Sequence, residues 1–284
     1  MFDRPWTRRV KRRILDLVAR SGYDIEKIQG RGLRYRFMKR IRLGRDPLAD
    51  SRRIHPGTIA CVFDVGAHVG QSAALFSDTF RGADIHSFEP DPTSFAQLRT
   101  VAAAYPRVTA VNAAVGDRAG EATFFINRFS QTNSILRPRD GAGEFLVASD
   151  GLDVRQETRV PVITLDQYCA EHAIERVDLL KLDTQGYELR VLDGATSLIQ
   201  RRAVPLIYLE VGFIPLYEQQ PLFPEVYQYL YDRDYRLVWL YESSFHTHLF
   251  TIGANALFVD TAVGSRLSAT ATGGAGPASS SRGR

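Results

Sequence analysis

Apolar residues occur along the chain in short unbroken runs that alternate with segments of helical spacing. The first run, residues 59–66, ends in a glycine turn, and helical spacing follows over residues 70–80. Similar runs predict further strands over residues 83–90, 107–115, 159–165, 177–183, 204–211, 235–241 and 254–260. Further helices are predicted over residues 93–105 and 223–232, from about Tyr187, and from Asp166, whose side chain can cap the helix. This alternation indicates an α/β fold with a parallel sheet and right-handed crossovers.

Two segments depart from the alternation. Residues 121–129 switch between apolar and polar, which predicts one strand of an inserted hairpin. Residues 130–158 are polar and contain glycines, which predicts a long loop of the kind that is often functional. We therefore expect a basic helical N-terminal extension (1–55), one α/β domain (56–262) and a disordered tail (263–284) rich in Ala, Gly, Ser and Thr.

The composition places the chain among water-soluble globular proteins. Hydrophobic residues make up 44% and charged residues 24% of its 284 residues, which are ordinary values. No apolar run reaches the roughly 18 residues of a membrane-spanning helix, and the N-terminus is too charged for a signal peptide. Cys61 and Cys169 have no metal-ligand spacing around them. We therefore expect a cytoplasmic protein without a structural metal or a disulfide framework.

Charge is spread unevenly along the chain. Residues 1–46 hold 15 Lys and Arg against 5 Asp and Glu, although the net charge of the whole chain is only +4. Within this segment, residues 8–20 have helical spacing, with apolar residues on one side and arginines on the other. The segment could contact nucleic acid, anionic lipid at the inner membrane face or a phosphorylated substrate, or it could be a solvated lead-in. The sequence leaves this choice and the oligomeric state open.

The first candidate site is the sequence DVGAHVGQS, residues 64–72, which follows a buried strand and opens a helix. Gly66 permits a tight turn, and Gly70 lets backbone approach a ligand closely. The spacing G-x-x-x-G differs from the G-x-G-x-x-G of dinucleotide sites. Asp64 before the turn can attract an ammonium group, while backbone N–H groups meet a carboxylate, so the turn suits a ligand with an amino-acid end. A purely structural glycine turn is the alternative.

Two further candidate sites lie at the ends of later strands. Glu89 stands where a carboxylate accepts both hydroxyls of a ribose in adenosine-binding folds, and Pro90 turns the chain into the next helix. Lys181 and Asp183 place charged groups at the carboxyl edge of the sheet, where ligands bind in open α/β sheets. A solvent-facing Glu89 and a structural Lys–Asp pair are the alternatives.

Five motifs together resemble the FkbM family of methyltransferases over residues 58–242. They are FDVGAHVGQ (63–71), FEPDPTSF (88–95), NAAVGDRAG (112–120), SQTNSIL (130–136) and DLLKLDTQGYELRVLDGA (178–195). The resemblance implies a Rossmann-like fold with a seven-stranded, mostly parallel sheet, an antiparallel last strand and helices on both faces. It also implies S-adenosylmethionine as methyl donor and methylation of a hydroxyl oxygen on a sugar, glycan or natural product.

The resemblance assigns roles to individual positions. The implied cofactor-binding residues are Asp64, Gly66, Ala67, His68, Gly70, Glu89, Pro90, Asn112, Ala114 and Asp183. It also implies that Lys181 and Asp183 lie beside the reactive sulfonium. Two positions depart from the family pattern: His68 stands where Asn is more usual, and Gln185 stands where Glu is more usual.

A hydroxyl acceptor needs a base for its proton, and several residues could serve. The candidates are Asp183, His68, Glu188, Glu210 and His246, of which we favour Asp183 or His68, with Lys181 stabilising the developing alkoxide. Residues 130–158 and 213–223 are expected to form the acceptor pocket. Its candidate substrate-binding residues are Asn133, Ser134, Glu210, Tyr217 and His246. No metal is favoured, although Asp183 and Glu210 on adjacent strands could hold Mg²⁺.

Three other classes are weighed against a small-molecule methyltransferase. A nicotinamide-dependent oxidoreductase is disfavoured by the G-x-x-x-G turn. A catalytically idle adapter that binds a membrane or a complex through its basic N-terminus stays open. A nucleic-acid methyltransferase is disfavoured because the basic cluster is terminal and residues 183–186, DTQG, lack a base-flipping signature.

Overall fold

The protein is described here by a computed structural model that covers residues 23–28, 34–39, 43–246 and 250–263. The chain divides into two compact units, the first ending at Arg45 and the second starting at Asp46. The predicted helix over residues 8–20 lies outside the described residues, and so does the predicted tail (263–284) except Val263, which is buried. No helix of the described segments is long and apolar enough to cross a bilayer.

The first unit contains a pair of antiparallel strands. β1 (Tyr23–Ile28) pairs with β2 (Arg34–Lys39) so that Tyr23 lies opposite Lys39. These strands lie where the sequence was expected to form a helical extension. The proposed boundary between residues 55 and 56 stays a prediction, and the compact unit that holds the main sheet starts ten residues earlier.

The second unit is built on a seven-stranded sheet. Its strands are β3 (Cys61–Val65), β4 (Asp84–Phe88), β5 (Val108–Val111), β9 (Leu179–Leu182), β10 (Leu206–Gly212), β11 (Tyr235–His246) and β12 (Phe250–Asp260). Their order is β11-β12-β10-β9-β3-β4-β5, and β12 runs antiparallel to both of its neighbours. The other neighbouring strands pair in parallel. The predicted α/β class, the seven strands and the antiparallel last strand are confirmed.

Seven α-helices accompany the strands in the described part of this unit. They are α1 (Pro47–Ile54), α2 (Gln71–Thr79), α3 (Pro92–Ala104), α4 (Leu165–Glu171), α5 (Glu188–Asp193), α6 (Thr196–Gln200) and α7 (Phe223–Tyr231). Phe63 and Val65 of β3 join the core that contains residues of α4 to α7. Asp64 between them points to the other face and accepts a hydrogen bond from Ser72 of α2. Helices therefore cover both faces, as predicted.

A small second sheet was predicted only in part. β7 (Gly120–Asn127) pairs antiparallel with β8 (Val154–Ile163), which confirms the inserted hairpin. The short strand β6 (Ala114–Val115) joins β8 in parallel, so the predicted strand 107–115 is divided between two sheets. Residues 154–158, predicted as loop, belong to β8 because ladder hydrogen bonds to β7 extend that far.

The predicted cap of α4 is wrong. Thr164 is the N-cap, and its hydroxyl accepts a hydrogen bond from the Gln167 backbone N–H at 3.2 Å. The Asp166 carboxylate instead accepts hydrogen bonds from the backbone N–H groups of Ser197 and Leu198 in α6, at 2.8 and 3.0 Å. Asp166 therefore satisfies the free donors of a neighbouring helix rather than those of its own.

Candidate active site

A cavity of about 320 Å³ opens at the carboxyl ends of β3, β4 and β9. Its size lies within the roughly 300–1,000 Å³ of small-molecule sites. β3 is the point at which the strand order reverses, which is where open α/β sheets bind ligands. The predicted site residues that line this cavity are Gly66, Ala67, His68, Glu89, Pro90, Ala114, Asn133, Lys181 and Asp183.

The turn after β3 is fixed by two glycines with left-handed backbone. Gly66 has φ +77°, and a Cβ added there would lie 1.9 Å from the carbonyl oxygen of Asp183. Gly70 has φ +94°, and its Cβ would press on Leu98 and Val101 of α3. Gly70 therefore permits close packing of helices, and it is not part of the cavity wall. Gly66 alone brings the turn against the end of β9.

The floor of the cavity holds a buried ion pair. Lys181 Nζ lies 3.0 Å from Asp64 Oδ1, donates to the Gly66 carbonyl oxygen at 2.8 Å and lies 3.6 Å from Asp183 Oδ2. Ser72 donates to the other oxygen of Asp64 at 2.6 Å. Burial alone would lower the pKa of Lys181, but the charges of Asp64 and Asp183 outweigh it and raise that pKa. The Asp64 carboxylate is engaged by Lys181 and Ser72 and lies beneath the wall, so it does not meet a ligand directly.

Glu89 presents a buried carboxylate at the end of β4. Its Oε2 accepts the backbone N–H of His68 and its Oε1 accepts that of Asp91, both at 2.8 Å. Burial raises the pKa of Glu89 to about 7, although the two backbone hydrogen bonds act in the opposite direction. Asn112 does not line the cavity; its amide donates to the carbonyl oxygens of Glu89 and Pro90 at 2.8 and 3.3 Å and so holds this strand end.

Part of the cavity lining is apolar, and the Asn133 side chain also lines the cavity. Ala114, Phe124 and Ile135 line this part of the cavity. Asn133 accepts the backbone N–H of Asn127 at 2.8 Å through Oδ1, while its buried Nδ2 has no hydrogen-bond partner among the described residues. A buried amide donor without a partner is costly, so Nδ2 is a natural contact for a ligand acceptor.

His68 stands beside the turn in a strained backbone conformation, with φ +48°. Its ring Nε2 lies 2.8 Å from Ser130 Oγ, which ties the turn to the segment after β7. Burial lowers the pKa of His68, so the imidazole is neutral near pH 7. A neutral ring that lines the cavity can accept a proton.

Gln185 connects the remaining predicted residues behind the cavity. Its amide nitrogen donates to Asp183 Oδ1 at 2.9 Å and to Glu210 Oε2 at 2.6 Å, and its amide oxygen accepts the Tyr217 hydroxyl at 3.0 Å. Ser134 donates to the Gln185 carbonyl oxygen at 2.9 Å. The structure thus gathers Ser134, Glu210 and Tyr217 around Gln185, and none of the three lines the cavity.

Glu188 and Glu210, two of the five predicted base candidates, do not line the cavity. Glu188 is buried and accepts hydrogen bonds from Thr184 and Gly186. Burial, followed by the charges of Asp183 and Glu188, raises the pKa of Glu210 well above its usual value. The His246 side chain lies outside the described residues. Asp183 and His68 are therefore the described candidates with access to a ligand.

The Mg²⁺ alternative stays a prediction that the described residues do not test. They contain no group of three or more His, Cys, Asp or Glu that could hold a metal ion. The two carboxylates considered for the ion, Asp183 and Glu210, share the amide of Gln185 instead.

The far wall of the cavity was missed by sequence reasoning. It is lined by Tyr208, Glu242 and Asn255, and Leu48 and Leu75 also line the cavity. Tyr208 lies in a predicted strand, and in the structure it pairs with Lys181 of the neighbouring strand β9. Aligning the two predicted strands could therefore have placed Tyr208 near the site. Residues 242 and 255 come from the β11–β12 hairpin, and no local motif marks them.

Comparisons with known proteins agree on one family. Residues 64–237 match the family model described as a methyltransferase FkbM domain. The 2-O-methyltransferase NoeI of Sinorhizobium fredii is 29% identical over 167 residues, which are 56% of this chain and 66% of the relative. The 31-O-demethyl-FK506 methyltransferase FkbM of Streptomyces tacrolimicus is 30% identical over 159 residues, covering 50% and 60% of the two chains. The hexuronic acid methyltransferase AglP of Haloferax volcanii is 23% identical, covering 54% and 57%. The matched region thus spans less than two thirds of each relative.

Proposed function

The chain belongs to the FkbM methyltransferase family, and we propose that it transfers the methyl group of S-adenosylmethionine to a hydroxyl oxygen of a sugar, glycan or natural product. The observation that carries the proposal is that the Gly66 turn, the buried Glu89 carboxylate and the Asp183 carboxylate open on one cavity. The NoeI and FkbM relatives are named for O-methylation, which supports oxygen as the acceptor atom.

The residues present fit S-adenosylmethionine. Each oxygen of Glu89 accepts one backbone N–H and keeps lone pairs for the two hydroxyls of a ribose. The apolar wall of Ala114, Phe124 and Ile135 suits a purine ring, and the free Nδ2 of Asn133 can donate to a ring nitrogen. The turn at Gly66 would hold the methionine end next to the charged end of β9.

Asp183 is the residue we assign as proton acceptor. When bound, S-adenosylmethionine supplies a methyl group on a positively charged sulfur, which an oxygen can displace in line. The Asp183 side chain is 42% exposed and lines the cavity, so it can reach an acceptor hydroxyl. Gln185 binds one of its oxygens and Lys181 lies near the other, which fixes the orientation of the carboxylate. A base in this position contributes about 10²–10⁴-fold to the rate.

His68 is the second candidate base. It lines the cavity, and burial keeps its ring neutral near pH 7. Lys181 cannot turn freely toward a developing alkoxide, because its ammonium already contacts the Gly66 carbonyl oxygen and Asp64. We therefore assign Lys181 to positioning Asp183 and to balancing the negative charge of the cavity floor.

A binding measurement tests the cofactor. Isothermal titration with S-adenosylhomocysteine and with NADH should show binding of S-adenosylhomocysteine alone. Tighter binding of NADH would point to the oxidoreductase alternative. Binding of neither compound would point to a catalytically idle protein.

A transfer measurement tests the acceptor atom. Protein is incubated with methyl-labelled S-adenosylmethionine and with cell-envelope or secondary-metabolite extracts. Label should enter a base-stable hydroxylated product, whereas label in protein or nucleic acid would contradict the proposal. Asp183→Asn should slow transfer about 10²–10⁴-fold while S-adenosylhomocysteine still binds. His68→Gln should retain most of the rate, and Glu171→Gln on the exposed side of α4 serves as the control.

A further inference from the structure

A second polar cluster lies in the cavity, away from the glycine turn. Glu242 Oε2 accepts the Tyr208 hydroxyl at 3.0 Å and the Asn255 amide at 2.7 Å. Both donors bind the same oxygen, and no described residue is hydrogen-bonded to Oε1. All three side chains line the cavity. One carboxylate oxygen is therefore held in place while the other stays available to a donor in the cavity.

The local backbone places this carboxylate. Glu242 has φ +49° and lies in an irregular part of β11, where the pairing with β12 shifts between Tyr241 and Ser244. Such a bulge re-aims a side chain relative to a regular strand. The Tyr208 partner sits directly beside Lys181 on the neighbouring strand, so the cluster is one strand from Asp183 and its base position. An acceptor held at Glu242 can therefore reach the reacting centre.

The charges of the side chains that line the cavity indicate which acceptors can bind near Glu242. The carboxylates that line the described cavity are Glu89, Asp183 and Glu242, and the one Lys or Arg of the lining is Lys181. Its ammonium is already engaged by the Gly66 carbonyl oxygen and Asp64. An anionic group at this wall would meet negative charge, and none of the described lining residues offers it a free cation. Leu48 and Leu75 add apolar surface to the same cavity, and a sugar ring likewise combines apolar and polar surface.

We propose that Glu242, Tyr208 and Asn255 form the acceptor-recognition subsite and that it takes an uncharged polyhydroxylated ring, whose hydroxyl donates to Glu242 Oε1. This inference rests on the proposed methyltransferase function, and it adds the charge class of the acceptor. It predicts that acceptors with a carboxylate or phosphate on the recognised ring bind more weakly than their uncharged counterparts.

Saturation-transfer NMR tests the subsite on protein loaded with S-adenosylhomocysteine. The probes are the methyl glycosides of glucose, mannose, galactose and rhamnose, with methyl glucuronide as the anionic match to the glucoside. At least one neutral glycoside should bind, and methyl glucuronide should bind at least tenfold more weakly than methyl glucoside. Equal or tighter binding of the glucuronide, or binding of no neutral glycoside, overturns the inference.

Variants then separate recognition from folding. Glu242→Ala and the isosteric Glu242→Gln should each reduce the affinity for the neutral glycoside at least fivefold. Glu242→Gln should also reduce the difference in affinity between methyl glucoside and methyl glucuronide. Glu171→Gln should behave as wild type. Unchanged glycoside binding in both Glu242 variants contradicts the proposal. Titration of the wild type with S-adenosylhomocysteine separates failure of the proposed function from failure of the subsite. If S-adenosylhomocysteine does not bind, the proposed function is refuted. If it binds but no neutral glycoside does, only the subsite is refuted.

Discussion

Replacing Glu89 by Gln removes a charge that we expect to hold the ribose of the cofactor. A hydrogen bond to a charged group contributes about 1.5–3 kcal/mol, and two hydroxyls would donate to this carboxylate. Taking the lower value for each, Glu89→Gln should cost about 3 kcal/mol of binding free energy. That corresponds to an increase of about 100-fold in the Kd of S-adenosylhomocysteine.

Glu89→Gln weakens cofactor binding, but at high pH it should make the folded protein more stable relative to wild type. Burial raises the pKa of Glu89 from 4.5 to about 7. The folded protein therefore holds this proton more tightly than the unfolded chain does. The stabilisation that this tighter proton binding gives the folded protein is fully present below about pH 4.5 and is lost as the pH rises through 7. A pKa raised from 4.5 to about 7 corresponds to about 3 kcal/mol of stability. Gln does not titrate, so Glu89→Gln escapes this loss.

Two measurements check both parts. Urea unfolding without cofactor at pH 4.5 and pH 8 should show the stability of the variant rising relative to wild type by about 3 kcal/mol between these values. If Gln forms poorer hydrogen bonds than Glu at this position, the resulting loss of stability is the same at both pH values. It therefore cancels when the two pH values are compared. Titration with S-adenosylhomocysteine at pH 8 gives the Kd. A Kd within threefold of wild type, or a stability difference that does not change with pH, would refute the reasoning. Glu171→Gln, exposed on α4, should match wild type in both assays.

Three other substitutions test the floor, the turn and the layer behind the cavity. Lys181→Met leaves a buried carboxylate without its cation and should reduce the free energy of unfolding in urea by about 3–5 kcal/mol; a loss under 1 kcal/mol would show that the pair is dispensable. Gly66→Ala should abolish S-adenosylhomocysteine binding in titration, because its Cβ meets a backbone oxygen, whereas Gly82→Ala, with left-handed φ but open space, should retain it. Tyr217→Phe removes the hydroxyl that donates to Gln185. It should lower kcat about fivefold, from a loss of about 1 kcal/mol, with an unchanged Kd for S-adenosylhomocysteine.

Much of the fold could be predicted because each central strand is buried on both faces. Such strands are continuous apolar runs, as in residues 59–66 and 177–183, and they stand out against the helical spacing between them. Prediction failed where pairing partners are distant. β6 is only two residues long, and its pairing with β8 depends on a strand nearly 50 residues later. Asp166 followed the local rule for a helix cap, but the neighbouring α6 offered free N–H groups that its carboxylate reached instead.

The candidate site shows the same division. Gly66, Glu89, Lys181 and Asp183 directly follow or end parallel strands, so their convergence at one sheet edge could be inferred from the chain order. The far wall depends on the position of β12 between β10 and β11, which no sequence pattern states. Tyr217 was predicted at the substrate because it is aromatic and lies in residues 213–223, which were expected to form the acceptor pocket. It is 1% exposed, and its hydroxyl donates to the Gln185 side chain and to the Thr132 carbonyl oxygen.

The contact between Gly66 and the end of β9 has a consequence for how such a protein can change its substrate. Because the missing side chain at position 66 lets the turn after β3 touch the backbone of Asp183, the turn that we propose for the methyl donor and the carboxylate that we propose as proton acceptor share one backbone contact. A new acceptor therefore cannot be accommodated by shifting one of them without displacing the other. Adaptation has to come from the opposite side, where α1 and the β11–β12 hairpin contribute side chains that are free of this constraint.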